Sequence, residues 1–264
     1  MATLAQLQQN PLFQRQAARA AQAVANQNAV NDLIANPLAF LGQTPVVCSA
    51  GNGHLTVFDA AAGCSFNGAN ELNIGNHVHP IAYPDRVTVP VLATKTRGTA
   101  DGALANRFAA APRFAYNIGA QLWITDQQTG CTVIALDWGG GGGGQFSLFH
   151  LKPYDNADYG ILARSIFSMS KTVRAEMKNA TLRGESTQVV NASIGGGPLP
   201  VNYIMLQSMH NFSSQLRMQT IGVKRNGTWE FYRQIQTGMA GHLAVQSAVL
   251  APWRPWSEYF YWDV

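Results

Sequence analysis

The hydrophobic positions of this chain change their period once, early in the sequence. In residues 1–43 apolar side chains recur at helical intervals, which predicts two helices at about 11–27 and 27–36. After this segment, short apolar runs alternate with turns rich in Gly and Asn, a pattern typical of strands. We therefore divide the chain into a helical N-terminal extension, 1–43, and a β-sandwich domain, 44–264.

The pattern within the second part predicts an α+β fold, with a central β-sandwich of mostly antiparallel strands and flanking helices. Asn226 and Gly227, between two apolar runs, are a strong signal for a type I′ hairpin turn. Two stretches with helical spacing predict helices at about 157–179 and 238–250. The predicted strands are 46–48, 54–58, 86–92, 113–125, 131–138, 145–152, 187–194, 201–209, 214–224 and 228–236.

Composition narrows the functional classes. Only 12% of the residues are charged, against about 25% in typical soluble proteins. The net charge is +4, and no run of Lys and Arg supplies the footprint of a nucleic-acid-binding surface. No apolar stretch reaches the roughly 18 residues of a membrane span. The first residues lack the basic and apolar regions of a cleavable secretory signal, although export by a route without such a signal stays open.

The chemistry of the sequence centres on Cys131 and His150. Two apolar runs, Cys131–Leu136 and Gln145–Leu151, are joined through six consecutive glycines, Gly139–Gly144. This arrangement predicts a β-hairpin with the thiol at the start of one strand and the imidazole near the end of the next. A thiol beside an imidazole is the minimum equipment for nucleophilic catalysis. A buried core thiol and a satisfied strand histidine are the alternative that burial statistics favour.

The expected register follows from symmetry about the glycines. If Trp138 faces Gln145, then His150 faces Val133 across the ladder. Cys131 shares a face with Val133 because side chains alternate along a strand. The thiol and the imidazole are then diagonal neighbours, about 7–8 Å apart at the backbone and within side-chain reach.

Two further residues give this pair a context. Gly130 precedes the cysteine and leaves the backbone open to a substrate carbonyl, and Thr125 lies six positions before it. The pattern of Thr125, then Thr129-Gly130-Cys131, then His150 on the following strand resembles the cysteine-dependent protein glutamine deamidases. This superfamily includes the cytotoxic necrotizing factor catalytic domain, the Burkholderia lethal factor and the chemoreceptor deamidases. The resemblance covers about residues 120–153.

The resemblance implies a hydrolase that converts a glutamine of a partner protein to glutamate through a thioester. Cys131 is then the nucleophile, His150 the general base and acid, and Thr125 the group that orients the imidazole. Backbone N–H groups at Gly130 and Thr132 are expected to stabilise the oxyanion. The resemblance also implies a bacterial effector or toxin that acts in a target cell's cytosol. No cofactor or metal is required, and a secretion chaperone is a partner left open.

The same residues leave alternatives open. A cysteine protease or a transglutaminase uses the same thiol and imidazole and differs in the acceptor of the acyl group. A non-catalytic β-sandwich binding protein, with an inert Cys131, is a reading from a different class. Reactivity of the thiol separates this last reading from the others.

Other motifs carry less chemistry. His77 and His79 have the spacing of a strand-borne metal pair, but a third ligand at a diagnostic spacing is missing. The candidates for it are His54, Asp59 and Asp85.

Cys48 and Cys64 leave two possibilities open. They are far enough apart in sequence to form one disulfide, which would leave Cys131 as the odd thiol. All three cysteines could instead be reduced.

Overall fold

The computed structural model describes a β-rich chain that begins with one long helix. The residues it describes are 10–51, 56–67, 69–75, 85–95, 112–128, 132–139, 144–151, 202–207, 216–237, 243–250 and 261–262.

The N-terminal helix α1 (Pro11–Ala35) is continuous, so the expected break near residue 27 is wrong. The Ala, Gln and Asn residues of this segment contain no helix breaker before Pro37, which starts the short helix α2 (Pro37–Leu41). Asn10 caps α1, because its side-chain oxygen accepts the Leu12 N–H at 2.9 Å. No helix among the described residues is long and apolar enough to cross a membrane.

The described strands pair mostly antiparallel, as expected for an α+β chain rich in strands. They are β1 (Val46–Ser49), β2 (Thr56–Phe66), β3 (Leu72–Gly75), β4 (Val87–Thr94), β5 (Phe114–Ala115), β6 (Leu122–Thr125), β7 (Thr132–Gly139), β8 (Gln145–Leu151), β9 (Asn202–Gln207), β10 (Leu216–Arg225), β11 (Thr228–Thr237), β12 (Leu243–Leu250) and β13 (Tyr261–Trp262).

These strands form two sheets. The larger has the order β1-β3-β2-β4-β6-β10-β11-β12, and the smaller has the order β13-β9-β7-β8-β5. Parallel pairs occur between β1 and β3, β4 and β6, and β9 and β13. The β10–β11 hairpin turns at Asn226 and Gly227 with φ of 50° and 74°, which confirms the predicted turn.

The larger sheet buries a different cluster on each face, since side chains alternate along its strands. One face packs against the helices, where Leu33 and Leu41 join residues such as Val91 and Ile124 in one apolar cluster. The other face packs against the smaller sheet. The cluster between the sheets contains Leu92, Trp123, Trp229 and Phe231 from the larger sheet and Val133, Ala135, Phe146 and Leu148 from the smaller, with Tyr116 and Ala120 beside them.

The helix is joined to the sheet by a buried amide as well as by apolar packing. Asn26 donates through Nδ2 to Ser65 Oγ at 3.1 Å and to the Asp85 carbonyl at 3.0 Å. Its Oδ1 accepts the Phe66 N–H at 3.1 Å. The change from helix to strand falls between α2 and β1, where the sequence places the boundary of the extension. Treating residues 1–43 as a separate unit stays a prediction.

Besides the break expected in α1, three predictions of secondary structure are wrong within the described residues. The strand predicted at 113–125 is two strands, β5 and β6, which lie in different sheets. The segment predicted as a helix at 238–250 contains strand β12, which pairs antiparallel with β11. Strand β3 lies in an Asn- and Gly-rich stretch where no strand is expected. In these last two places pairing with a neighbouring strand outweighs local pattern. The predicted helix at 157–179 and strand at 187–194 lie outside the described residues.

Candidate active site

Gln128 still pairs with the larger sheet and Thr132 already belongs to the smaller one, so the candidate nucleophile lies in the connection between the two sheets. After β6 ends at Thr125, Gln128 forms an isolated bridge to Met218, whose carbonyl accepts the Gln128 N–H at 2.9 Å. The buried Gln128 side chain accepts a hydrogen bond from the Thr220 hydroxyl. Strand β7 then starts at Thr132. The backbone is therefore fixed on both sides of the segment that contains Cys131.

The β7–β8 ladder has the register that the sequence predicts. Val133 lies opposite His150, and Thr132 lies opposite Leu151. At the tip the expectation is wrong, because Gln145 pairs with Gly139 and not with Trp138. The Gly139 N–H donates to Asp137 Oδ1 at 2.9 Å, and Gly139 has a φ of 67°, so the irregularity stays at the glycine end.

His150 and Val133 both face the larger sheet. Val133 belongs to the cluster between the sheets, as do Leu148 and Phe146, which have the same parity as His150 on β8. Only 2% of the His150 surface is exposed.

Thr125 meets His150 across the two sheets. Its hydroxyl oxygen lies 2.5 Å from His150 Nδ1, and the same oxygen lies 2.7 Å from the Thr94 carbonyl. Thr125 has no exposed surface. The structure therefore brings together two of the three residues that the sequence singles out, one from β6 and one from β8.

Proton counting fixes the tautomer of this histidine. A carbonyl oxygen only accepts, so the single Thr125 hydroxyl proton goes to Thr94 O. The hydroxyl must then accept from the imidazole, which places a proton on Nδ1 of His150. In the neutral ring the lone pair is consequently on Nε2, the form that a general base requires.

The Thr125 carbonyl has a different partner from the hydroxyl. Gln219 Nε2 donates to it at 2.7 Å, while Gln219 Oε1 accepts the Cys48 N–H at 3.2 Å. The adjacent Asp126 points elsewhere, since its Oδ1 accepts the Ala50 N–H at 2.9 Å. The contact with His150 Nδ1 at 2.5 Å is thus made by the Thr125 hydroxyl.

A chain of buried hydroxyls lies beside this contact. Trp123 Nε1 donates to Thr94 Oγ1 at 2.6 Å, and Thr94 Oγ1 lies 2.7 Å from Thr56 Oγ1. Thr56 in turn donates to the Leu148 carbonyl at 2.8 Å. Leu148 lies two residues before His150 on the same strand, so the chain of bonds links both ends of the site.

The remaining predicted site residues are placed only in part. Cys131 and Gly130 lie outside the described residues. Thr132 lies between Leu151 of β8 and Gln207 of β9. Its N–H is directed along the sheet toward one of these strands, so a role in an oxyanion hole requires that it leave the ladder. The roles of Gly130 and Thr132 stay predictions.

The two other cysteines are buried and not bonded to each other. Cys48 and Cys64 both pair with Ile74, from opposite sides of β3. Burial raises the pKa of the Cys64 thiol to about 12. The pKa of Cys48 is raised well above its ordinary value, chiefly by burial and secondarily by Cys64 and Asp126. A disulfide between them is absent, and neither thiol is ionised near neutral pH.

The opposite end of the β7–β8 hairpin contains a buried carboxyl. Asp137 is 1% exposed, and burial raises its pKa, while the hydrogen bond from the Gly139 N–H and the nearby Tyr116 hydroxyl act in the other direction. Burial and the neighbouring Asp137 raise the pKa of the Tyr116 hydroxyl. The pair lies at the glycine end of the hairpin, away from His150.

The predicted metal motif gains no third ligand among the residues that are described. His54, His77 and His79 lie outside them. Asp59 accepts the Ala61 N–H at 2.9 Å, and no cluster of three His, Cys, Asp or Glu side chains occurs in the described part of the chain.

Comparison with known proteins adds no family to this geometry. No protein-family model matches the chain, and no curated protein matches it. The resemblance to the deamidases consequently rests on the pattern around Cys131 alone.

Sequence reasoning missed the residues behind the pair. Thr94 is the last residue of β4 and Thr56 is the first residue of β2, and each has an apolar neighbour in its strand. Gln219 is a polar residue on the buried strand β10. All three are buried. A buried hydroxyl at a strand end is the available signal, but the partner of each depends on pairing between distant strands.

Proposed function

We propose that this chain is a cysteine-dependent protein glutamine deamidase with Cys131, His150 and Thr125 as its catalytic residues. The observation that carries the proposal is the bond between Thr125 and His150, with the hydroxyl proton committed to the Thr94 carbonyl. This arrangement leaves His150 Nε2 as the basic atom on the face toward which Cys131 is expected to point.

The reaction then proceeds in two stages. Nε2 removes the thiol proton, and the Cys131 thiolate attacks the carboxamide carbon of a substrate glutamine. The tetrahedral intermediate collapses when the amide nitrogen takes the proton from Nε2–H and leaves as ammonia. Water, deprotonated by Nε2, attacks the thioester, and the C–S bond breaks to give glutamate and the free thiol. Backbone N–H groups around Cys131 are expected to stabilise both oxyanions.

The orienting bond has a defined task in this scheme. When the imidazole takes the thiol proton it becomes a cation, and its Nδ1–H remains bonded to the Thr125 hydroxyl. The position of Nε2 is thereby the same before and after proton transfer. Because Thr125 is fully buried, water does not compete for that bond.

The proposed setting is a bacterial effector that acts in a reducing cytosol. Its support is the resemblance itself, together with the need of a catalytic thiol for a compartment where thiols stay reduced. The first turns of α1 are solvent-exposed, with Leu12 at 67% and Phe13 at 41%. Such a segment suits the secretion chaperone left open by the sequence.

The decisive experiment incubates the purified protein with a eukaryotic cytosolic extract in water labelled with heavy oxygen. A deamidase inserts the label into new glutamate side chains, whereas a protease inserts it at new C-termini and a transglutaminase produces isopeptide cross-links. A Cys131→Ser variant is the control. Labelled glutamate that depends on Cys131 supports the proposal. Either of the other products would show that the same residues form the active site of a protease or of a transglutaminase.

The non-catalytic alternative has its own outcome. If Cys131 is alkylated as slowly as Cys48 and Cys64, and no labelled product depends on it, the chain is a binding protein and the proposal fails.

A further inference from the structure

We infer that Thr56 and Thr94 are positioning residues that hold His150 against Thr125: Thr56 binds the backbone of the strand that contains His150, and Thr94 binds the hydroxyls of both Thr56 and Thr125. The geometry is a closed set of hydrogen bonds among β2, β4, β6 and β8. The positioning is a statement about the imidazole itself, and only its catalytic benefit depends on the proposed function.

The direction of every bond in the set is determined. The Trp123 indole only donates, so Thr94 Oγ1 accepts from it. The Leu148 carbonyl only accepts, so the proton of Thr56 goes there. Between the two hydroxyls, 2.7 Å apart, Thr94 must therefore donate and Thr56 accept. Each hydroxyl proton is used once.

This chain of bonds is a clamp and not a proton relay. It starts at an indole N–H, which does not ionise near neutral pH, and it ends at an amide carbonyl, which does not accept a proton there. No step along it changes the charge of His150. What it does is fix the distance between the Leu148 carbonyl and the larger sheet.

The need for a clamp follows from the topology. Strand β5 pairs with β8 only at Gln145 and Phe146, so beyond these residues β8 has no described strand partner on that side. His150 lies in this stretch. In this stretch the Thr56 hydroxyl binds the Leu148 carbonyl, and the Thr94 carbonyl sets the tautomer through Thr125. Both threonines are nearly fully buried, at 3% and 1% exposure.

The test compares Thr56→Val and Thr94→Val, which keep the side-chain shape but lose the hydroxyl, with the Thr→Ser variants, which keep the hydroxyl. Thr228→Val is the matched control, since its hydroxyl also donates to a backbone carbonyl, that of Arg225, at 2.8 Å in the β10–β11 turn. The nitrogen NMR shifts of the His150 ring and the pH profile of Cys131 alkylation by iodoacetamide are measured for each protein.

We expect the valine variants to shift and broaden the His150 ring signals and to slow alkylation near neutral pH by about fivefold to tenfold, the order of one lost buried hydrogen bond. Serine should restore both, and Thr228→Val should change neither. The inference is overturned if Thr56→Val and Thr94→Val leave the ring signals as they are in the Thr228 control. If the ring responds to the clamp but wild-type Cys131 does not react, the positioning stands and the proposed deamidase fails.

Discussion

Gln219 and Thr125 are joined by a 2.7 Å hydrogen bond from the glutamine side-chain amide to the threonine carbonyl. This bond engages the carbonyl with a partner other than the imidazole. It leaves the hydroxyl as the part of Thr125 that contacts His150. The two polar groups of one residue thus have separate tasks, and a substitution of Thr125 removes the hydroxyl while it keeps the backbone carbonyl.

The first prediction separates these two tasks. Thr125→Val should reduce turnover by about 10- to 100-fold, because a hydrogen bond to a group that becomes charged contributes about 1.5–3 kcal/mol. Thr125→Ser should retain most of the activity. The measurement is the rate constant for glutamate formation, with the NMR tautomer of His150 as a second reading.

Asp126→Ala is the comparison for that prediction. Its Oδ1 accepts the Ala50 N–H, so we expect near-normal turnover with a small loss of stability. Full activity in Thr125→Val together with collapse in Asp126→Ala would assign the orienting role to Asp126.

The second prediction concerns selective thiol chemistry. Iodoacetamide near neutral pH should modify Cys131 and leave Cys48 and Cys64 unmodified in the folded protein. Since the thiolate is the reacting form and the pKa of Cys64 is raised to about 12, its ionised fraction is negligible at neutral pH. Peptide mapping by mass spectrometry gives the three rates. Modification of Cys48 or Cys64 at the rate of Cys131 would contradict it.

The third prediction compares two cysteine substitutions. Cys131→Ser should abolish glutamine deamidation and change the melting temperature little. Cys64→Ser should destabilise the protein by about 1–3 kcal/mol, because it places a hydroxyl in a fully buried apolar cluster. Denaturant titration measures the free energy of unfolding of both variants. A large loss of stability in Cys131→Ser with activity retained would favour a buried structural thiol.

The fourth prediction concerns the N-terminal helix. The first half of α1 is exposed, so a chain that starts near residue 21 should fold and keep its site. Leu33 has no exposed surface, and Leu33→Ala should cost about 2–5 kcal/mol. A chain that starts at Thr44 loses that contact and Asn26, so we expect it to be unstable. A stable, active chain from Thr44 would show that the whole extension is dispensable.

The fifth prediction follows from the raised pKa of Asp137. A carboxyl that binds its proton more tightly when folded lowers the free energy of unfolding as pH rises from its ordinary pKa of 3.8 through the folded value. Asp137→Asn keeps an oxygen for the Gly139 N–H and removes the titration. Its stability relative to wild type should rise across that window and be flat below it. A difference that is independent of pH would contradict this.

The sequence predicts the register of the β7–β8 hairpin more accurately than it predicts the architecture of the two sheets. Alternation and the glycine run are local signals, so they give the pairing of Val133 with His150 correctly. At the tip, Gly139 pairs with Gln145 in place of the expected Trp138. The Gly139 N–H binds the Asp137 carboxylate there, a contact that no periodicity reveals. The Ala residues of strand β12 favour a helix in the sequence pattern. The strand is extended because it pairs with β11.

The residues that support the Thr125–His150 contact cannot be predicted from local patterns, and the reason is physical. Thr56, Thr94 and Gln219 are separated widely in sequence, and each gains its role from a partner on another strand. Thr56 and Thr94 are neighbours only because β2 and β4 pair in one register. A shift of β2 by one residue relative to β4 would direct the Thr56 hydroxyl to the helix-covered face and away from Thr94.

Because the hydroxyl of the Thr125–His150 bond comes from one sheet and the imidazole from the other, the site exists only when the sheets are docked. A compact intermediate that keeps its strands but loses fixed packing between the layers would lose the bond first. The imidazole would then be free to change tautomer before the far-ultraviolet dichroism changes. When the chain refolds from such a state, the His150 ring signal would therefore report the docking of the two sheets.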